Sequence, residues 1–177
     1  ETVDADLVAI SSLTSGISRA YEIGDILRKR GIICVIGGAH VTALPDEALE
    51  HFDAVIMGEG EGPWKDFLKD FENNCIQKKY YGPMNVSLDS LGAPDRNMIH
   101  RNYQYASINT SRGCPYSCSY CYLTVFNERK YRVIPHETVL DDFESLRDES
   151  IVVVTDENFI GYTKKDIEDR KILLRKM

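Results

Sequence analysis

Gly31-Ile32-Ile33-Cys34-Val35-Ile36-Gly37-Gly38 is the stretch that decides the fold class. Five apolar residues run between glycines without a polar break. A strand with one wet face would alternate, so an unbroken run predicts a strand covered on both faces, as in a parallel sheet. Upstream, Ile17, Ala20, Tyr21, Gly24 and Leu27 recur at helical spacing, with Arg19, Glu22, Asp25 and Arg28 on the other face. This is an amphipathic helix, stopped by Gly31. Before it, Leu7-Val8-Ala9-Ile10 forms another apolar strand, ended by Ser11-Ser12. Downstream, Pro45 opens a short helical turn with Asp46 and Glu47 at its start, where acids suit the helix dipole. Asp53-Ala54-Val55-Ile56-Met57 is a third strand, ended by Gly58-Glu59-Gly60-Glu61, and Trp64, Phe67, Leu68 and Phe71 mark the next helix. Strand–helix alternation of this kind gives an α/β class with a parallel sheet. Three strands are few for such a sheet, so a truncated domain is expected.

Residues 74–105 change character, with Pro83, Pro94 and scattered tyrosines but no helical period, and read as a linker with a short hairpin. Alternation resumes with a strand at Ala106-Ser107-Ile108-Asn109-Thr110, followed by a cysteine-rich loop. Pro135 starts a helix carrying Val139, Phe143 and Leu146, and Ile151-Val152-Val153-Val154 is a β-branched strand. Thr163 and Asp166 form a capping pair for the last helix. The expected organisation is therefore a first α/β domain over 1–73, a linker over 74–105, and the opening of a second parallel α/β domain over 106–177.

The chain has 177 residues, 43% hydrophobic, which is enough for a packed core. A net charge of −7 gives no electrostatic footprint for nucleic acid, although Glu128-Arg129-Lys130-Tyr131-Arg132 is a small basic patch. There is no signal peptide and no transmembrane run, so a soluble, cytoplasmic protein is expected. Five cysteines is an odd count, and three of them crowd into eight positions. That argues for metal ligation in a reducing compartment rather than a disulfide scaffold. The chain starts at Glu1 and ends inside a helical pattern, so a piece of a longer protein is expected.

The loop reads Thr110-Ser111-Arg112-Gly113-Cys114-Pro115-Tyr116-Ser117-Cys118-Ser119-Tyr120-Cys121, with spacing C-x3-C-x2-C. Three thiolates in so short a loop can wrap one small, soft metal centre. Gly113 and Pro115 suit the tight backbone this needs. Three ligands on a four-iron cluster leave one iron open to bind a substrate. A structural zinc would want a fourth ligand, with His100 and His136 in reach along the sequence, and zinc sites favour C-x2-C pairs. A ferredoxin loop would read C-x2-C-x2-C.

This loop, with an aromatic before its last cysteine and a strand before it, resembles that of the radical S-adenosylmethionine superfamily. The resemblance implies that Cys114, Cys118 and Cys121 hold a 4Fe-4S cluster, and that S-adenosyl-L-methionine chelates the open iron. It implies reductive cleavage of that cofactor to a 5′-deoxyadenosyl radical, with an electron donor such as flavodoxin or ferredoxin. Tyr120 takes the place of the aromatic that packs on the adenine. Thr155-Asp156-Glu157-Asn158-Phe159 departs from the Gly-Gly-Glu of many members. It resembles the D-[DE]-N-F of the cobalamin-dependent subgroup, so Asp156, Glu157 and Asn158 are expected at S-adenosylmethionine. The bland alternative is a solvated acidic loop.

Three strand tips complete the resemblance: Ser11-Ser12-Leu13-Thr14, Gly37-Gly38-Ala39-His40-Val41-Thr42 and Gly58-Glu59-Gly60-Glu61. As a set they resemble the cobalamin-binding domain of that subgroup. The implied contacts to cobalamin are Ser11, Ser12, Leu13, Thr14, Gly37, Gly38, His40, Val41, Thr42, Gly58, Glu59 and Gly60. Gly58-x-Gly60-x-Gly62 lacks the dinucleotide fingerprint spacing. His40 does not sit in the D-x-H-x-x-G pattern of an axial cobalt ligand, so it is expected to cap its loop or touch the corrin edge. The implied whole is a truncated Rossmann-like cobalamin-binding domain followed by the start of a (β/α) partial TIM barrel. The implied activity is methylation at an unactivated carbon of a small-molecule or lipid-like substrate. Ring formation or rearrangement, and a non-catalytic binding module, stay open as alternatives.

Overall fold

The computed structural model describes residues 4–98, 104–126, 128–146, 149 and 151–177. The chain divides into two compact units, Glu1–Val86 and Ser87–Met177. His100 lies outside the described residues.

The first unit is built on β1 (Leu7–Ser11), α1 (Ile17–Lys29), β2 (Ile33–Gly37), the short helices α2 (Ala39–Ala43) and α3 (Pro45–Ala48), β3 (Ala54–Met57), α4 (Pro63–Glu72) and β4 (Lys79–Tyr81). Its sheet has the order β1-β2-β3-β4, and every pairing is parallel. The unbroken apolar strands do what they predict. Cys34, Ile36 and Val55 pack on one face with Ala20 and Leu27 of α1 and with Phe52. Val35, Ala54 and Ile56 pack on the other face with Phe67 of α4 and Tyr80 of β4. Phe52 and Phe67 are completely buried, each worth about 1.5–3 kcal/mol of apolar burial. Asp53 finishes the entry to the core strand by accepting the Cys34 N–H at 2.9 Å.

One expectation is corrected. The stretch expected to be a linker with a hairpin contributes β4, which joins the sheet in parallel, with Val55 opposite Lys79 and Met57 opposite Tyr81. Three residues, Lys-Tyr-Tyr, are too short and too polar to register as a buried strand. Tyr80 alone is buried, and its hydroxyl donates to Asp70 at 2.8 Å.

The second unit carries β5 (Ala106–Ile108), β6 (Ser111–Arg112), α5 (Leu123–Phe126), β7 (Arg132–Val133), α6 (His136–Ser145), β8 (Val152–Val154) and α7 (Lys164–Lys176). β5 pairs in parallel with β8, and Ile108, Val139, Leu146 and Leu173 form the core. The strand expected over 106–110 ends at Ile108. Its continuation bends into β6, which pairs antiparallel with β7. The expected capping pair is present as a full box: Asp166 N–H donates to Thr163 Oγ1 and Thr163 N–H donates to the Asp166 carboxylate. Such a box satisfies two of the donors a helix start leaves open. Among the described residues, no helix is long and apolar enough to cross a membrane.

Candidate functional site

In the second unit, the end of β8 is hydrogen-bonded to the root of the cysteine loop. Asp156 accepts three bonds: from Thr110 N–H at 2.7 Å, Thr110 Oγ1–H at 2.5 Å and Ser111 Oγ–H at 2.7 Å. Thr110 and Ser111 are fully buried, so each of those donors needs its partner. Arg170 of α7, also buried, donates through Nη1 to Thr110 Oγ1 at 3.0 Å and to the Thr110 carbonyl at 3.3 Å. Its charge is balanced by Asp169. Burial pushes that carboxyl up, but its bonds from Arg170 and His136 together hold it below the ordinary range. Glu157 accepts the Gly113 N–H at 3.1 Å, at a glycine with φ of 83°. Asn158 donates from Nδ2 to Cys114 Sγ at 3.8 Å. The three residues expected at a cofactor therefore each bond to residues 110–114.

Cys114 and Cys121 are half-buried, Cys118 is exposed, and all three are free of disulfides. Cys121 N–H donates to the Cys118 carbonyl at 3.0 Å, which turns the loop between them. The sulfurs share the loop, but among the described residues no three His, Cys, Asp or Glu side chains converge as a metal-holding group. Tyr120 stands 90% exposed, its ring available for stacking. Tyr122, close to the loop, has its phenol pushed upward, mainly by burial and then by the Glu157 charge.

In the first unit, the carboxyl ends of β1, β2 and β3 border a crevice of about 420 Å³. Ser11, Gly37, Gly38, Gly58 and Gly60 of the expected set line it, together with Ala9, Ile10, Ile56, Glu61 and Trp64. Two of the glycines are dictated by close approach. At Gly38, with φ of 110°, an added Cβ would lie 2.5 Å from the Ser12 carbonyl oxygen. At Gly58, with φ of 77°, it would lie 2.2 Å from the Gly82 carbonyl oxygen. Only glycine tolerates both the conformation and the contact.

The remaining members of the expected set lie around the crevice. Thr42 bridges two tips, donating to the Gly38 carbonyl at 2.9 Å and accepting the Gly58 N–H at 3.1 Å. Glu59 accepts the Val86 N–H at 2.9 Å. Ser12 N–H donates to the Gly37 carbonyl, Leu13 is exposed, and Val41 is fully buried in the core. His40 is buried, with Nδ1 3.1 Å from Thr14 Oγ1 and Nε2 3.2 Å from Glu47. Both ring nitrogens are engaged, which matches a loop-capping role.

Residues 1–68 match the B12 binding domain family. The whole chain is similar to a bacteriochlorophyllide d C-8(2)-methyltransferase of Chlorobaculum tepidum, with 30% identity over 97% of this chain and 42% of the relative. It is also similar to an anaerobic magnesium-protoporphyrin IX monomethyl ester cyclase of Rubrivivax gelatinosus, with 25% identity over 99% of this chain and 38% of the relative. Among solved structures, the cobalamin-dependent S-adenosylmethionine radical enzyme OxsB, with aqua-cobalamin and S-adenosylmethionine bound, shares the fold at a TM-score of 0.70 and 20% identity. That match covers 94% of this chain and 28% of OxsB. The chain thus carries a B12 binding domain match over its first 68 residues and shares the fold of a cobalamin-dependent radical S-adenosylmethionine enzyme. It spans less than half the length of the curated relatives it matches.

Sequence reasoning finds the loop, the acidic strand end and the glycine tips. It misses Arg170, one of many charges on a polar helix, because nothing in its spacing marks it as buried. It quotes Thr110 and Ser111 without giving them a role. Trp64 it assigns to a helix face, whereas the ring also borders the crevice.

Proposed function

We propose that this chain supplies the cofactor-cleaving loop and the corrinoid crevice of a cobalamin-dependent radical S-adenosylmethionine methyltransferase acting on an unactivated carbon. In this reading the first unit is a truncated Rossmann-like domain and the second is the opening of a (β/α) partial barrel. The observation that carries it is the set of bonds from Asp156, Glu157 and Asn158 onto residues 110–114. It puts the end of a parallel strand, where such folds bind ligands, beside the first cysteine of the loop.

The donor set fits. Three free thiols on one loop are soft ligands suited to a 4Fe-4S cluster. The first-unit crevice has apolar walls and a glycine rim, suited to a bulky, flat ligand or its nucleotide tail. When bound, the cluster supplies the electron that breaks the sulfonium bond of S-adenosylmethionine, and cobalamin supplies the methyl group. The chain's own residues orient. Cys114, Cys118 and Cys121 would hold the cluster, and the exposed Tyr120 ring offers an adenine a stacking face. Asp156 and Arg170 fix the loop root through Thr110, and Glu157 fixes Gly113. The electron would come from a flavodoxin or ferredoxin, in a reducing cytoplasm, and the substrate would be a small or lipid-like molecule. A ring-forming reaction is the second reading, favoured by the similarity to the monomethyl ester cyclase.

The test is anaerobic reconstitution of the chain with iron and sulfide, alongside aqua-cobalamin. Iron and sulfide should bind, corrinoid absorbance should stay with the protein, and dithionite with S-adenosylmethionine should release 5′-deoxyadenosine. Cluster binding that survives replacement of Cys114, Cys118 and Cys121 by alanine would overturn the ligand assignment.

A further inference from the structure

The side chain of Asn158 has its two ends held differently. Its Oδ1 accepts the Gly161 N–H at 2.7 Å. With the oxygen engaged there, the other end of the amide must be the NH₂, which is a donor only. That end lies 3.8 Å from Cys114 Sγ. The backbone carbonyl of Asn158 lies 3.2 Å from Ser111 Oγ, whose hydroxyl it shares as an acceptor with Asp156, so the residue has one further anchor. Gly161 itself is fixed in place: its φ is 72°, and an added Cβ would sit 2.5 Å from Asp166 Cβ. Asp166 belongs to the capping box that starts α7. The helix start thus sets Gly161, Gly161 sets the amide, and the amide presents an N–H to the sulfur. Asp156 and Glu157 differ in kind, since they offer oxygens to N–H and O–H groups.

We propose that Asn158 raises the electron affinity of the iron–sulfur centre at Cys114 by donating a hydrogen bond to its sulfur. The inference rests on the ligand assignment made above. A donor at a thiolate stabilises the more negative state of the centre, which is the reduced one. Hydrogen bonds to the sulfurs are among the factors that set such potentials. The step concerned is a one-electron reduction: an external low-potential donor loses one electron, the centre gains it, and no bond forms or breaks at Asn158. Asn158 is on this account a positioning and potential-setting residue, not a catalytic one.

The experiment compares the whole chain with Asn158→Ser and Asn158→Asp after anaerobic reconstitution. Iron and sulfide content is measured first. Midpoint potentials then come from dithionite titration followed by electron paramagnetic resonance. Serine is too short to reach the sulfur. Aspartate keeps an acceptor for Gly161 but turns a negative oxygen toward Cys114. The expected result is unchanged iron content in Asn158→Ser, with about a tenfold lower reduced fraction at a fixed potential, a downward shift of about 59 mV for one electron. Asn158→Asp should fall further. Should circular dichroism find the aspartate variant unfolded, the serine variant decides alone. A full cluster with an unchanged midpoint in Asn158→Ser overturns the inference and leaves the ligand assignment standing. Loss of iron from Asn158→Ser overturns it too, by showing a purely structural role. A wild-type chain that takes up no iron overturns the ligand assignment, and this inference falls with it.

Discussion

The strand tips of the first unit and the strand end of the second are built by different means. In the first, the crevice is shaped largely by backbone: Gly38 and Gly58 approach neighbouring carbonyl groups that any side chain would strike. In the second, the loop root is held by side chains: one carboxylate, two hydroxyls and a guanidinium bonded to each other in a buried cluster. The lesson is about what each can tolerate. A backbone-shaped surface resists enlargement of a residue. A polar lock resists removal of one. A crevice of the first kind suits a large ligand recognised by shape, and a lock of the second kind suits a loop that must hold a fixed register.

The largest expected effect breaks the lock. Asp156→Ala leaves Thr110 N–H and Thr110 Oγ1–H without their acceptor in a buried setting, while Ser111 Oγ–H retains the Asn158 carbonyl at 3.2 Å. Each unsatisfied donor costs about 1–3 kcal/mol, so the second unit should lose at least about 2 kcal/mol. Urea unfolding followed by amide exchange checks this, and residues 110–114 should exchange earliest. Asp156→Asn, which keeps one acceptor oxygen, should recover part of the loss. If Asp156→Ala is as stable as the parent chain, the lock is not what holds the loop.

Next comes the backbone-shaped side. Gly58→Ala forces a Cβ to 2.2 Å from the Gly82 carbonyl oxygen at a φ of 77°, at a cost of about 1–3 kcal/mol. Gly60→Ala meets nothing within 4 Å and should leave the unfolding midpoint unchanged. Both residues border the crevice. Equal effects at the two positions would mean that crowding at the β3 tip does not shape it.

The same contrast decides how much was legible in the sequence. The first-unit sheet was readable because burial on both faces leaves an unbroken apolar run, as in Ile32–Ile36. β4 was not, because its place depends on one tyrosine seated against Phe67 and Asp70. The cysteines were legible because their spacing is itself the signal. What holds the loop was less so: Asp156 was legible as a strand-end acid but not as the anchor of Thr110 and Ser111, and Arg170 sits in a helix whose charges look solvated. A hydrogen bond between residues 60 positions apart, such as Arg170 to Thr110, leaves no local pattern. Val41 shows the converse. It belongs to a motif set as a cofactor contact, yet its apolar side chain is fully buried in the core beside that motif.

The smallest effect tests whether the first unit's tips also depend on side-chain charge. Glu47 Oε1 accepts from the Tyr21 hydroxyl at 2.8 Å and lies 3.2 Å from His40 Nε2, which in turn ties Thr14 near the β1 tip through Nδ1. The Tyr21 hydroxyl first, and His40 second, hold the Glu47 carboxyl below its ordinary value. A carboxyl depressed in the folded state stabilises the fold above its unfolded pKa, and that contribution is lost as pH falls through the folded one. The loss should therefore appear on the acid side of the ordinary carboxylate range, below about pH 4. Glu47→Gln should lower the melting temperature slightly at neutral pH and flatten the acid limb, so the two curves converge as pH drops. The effect should be small because Glu47 is exposed and solvent screens its partners. Parallel curves across the whole range would mean that the tips of the first unit are held by backbone and packing alone, making the contrast between the two units sharper still.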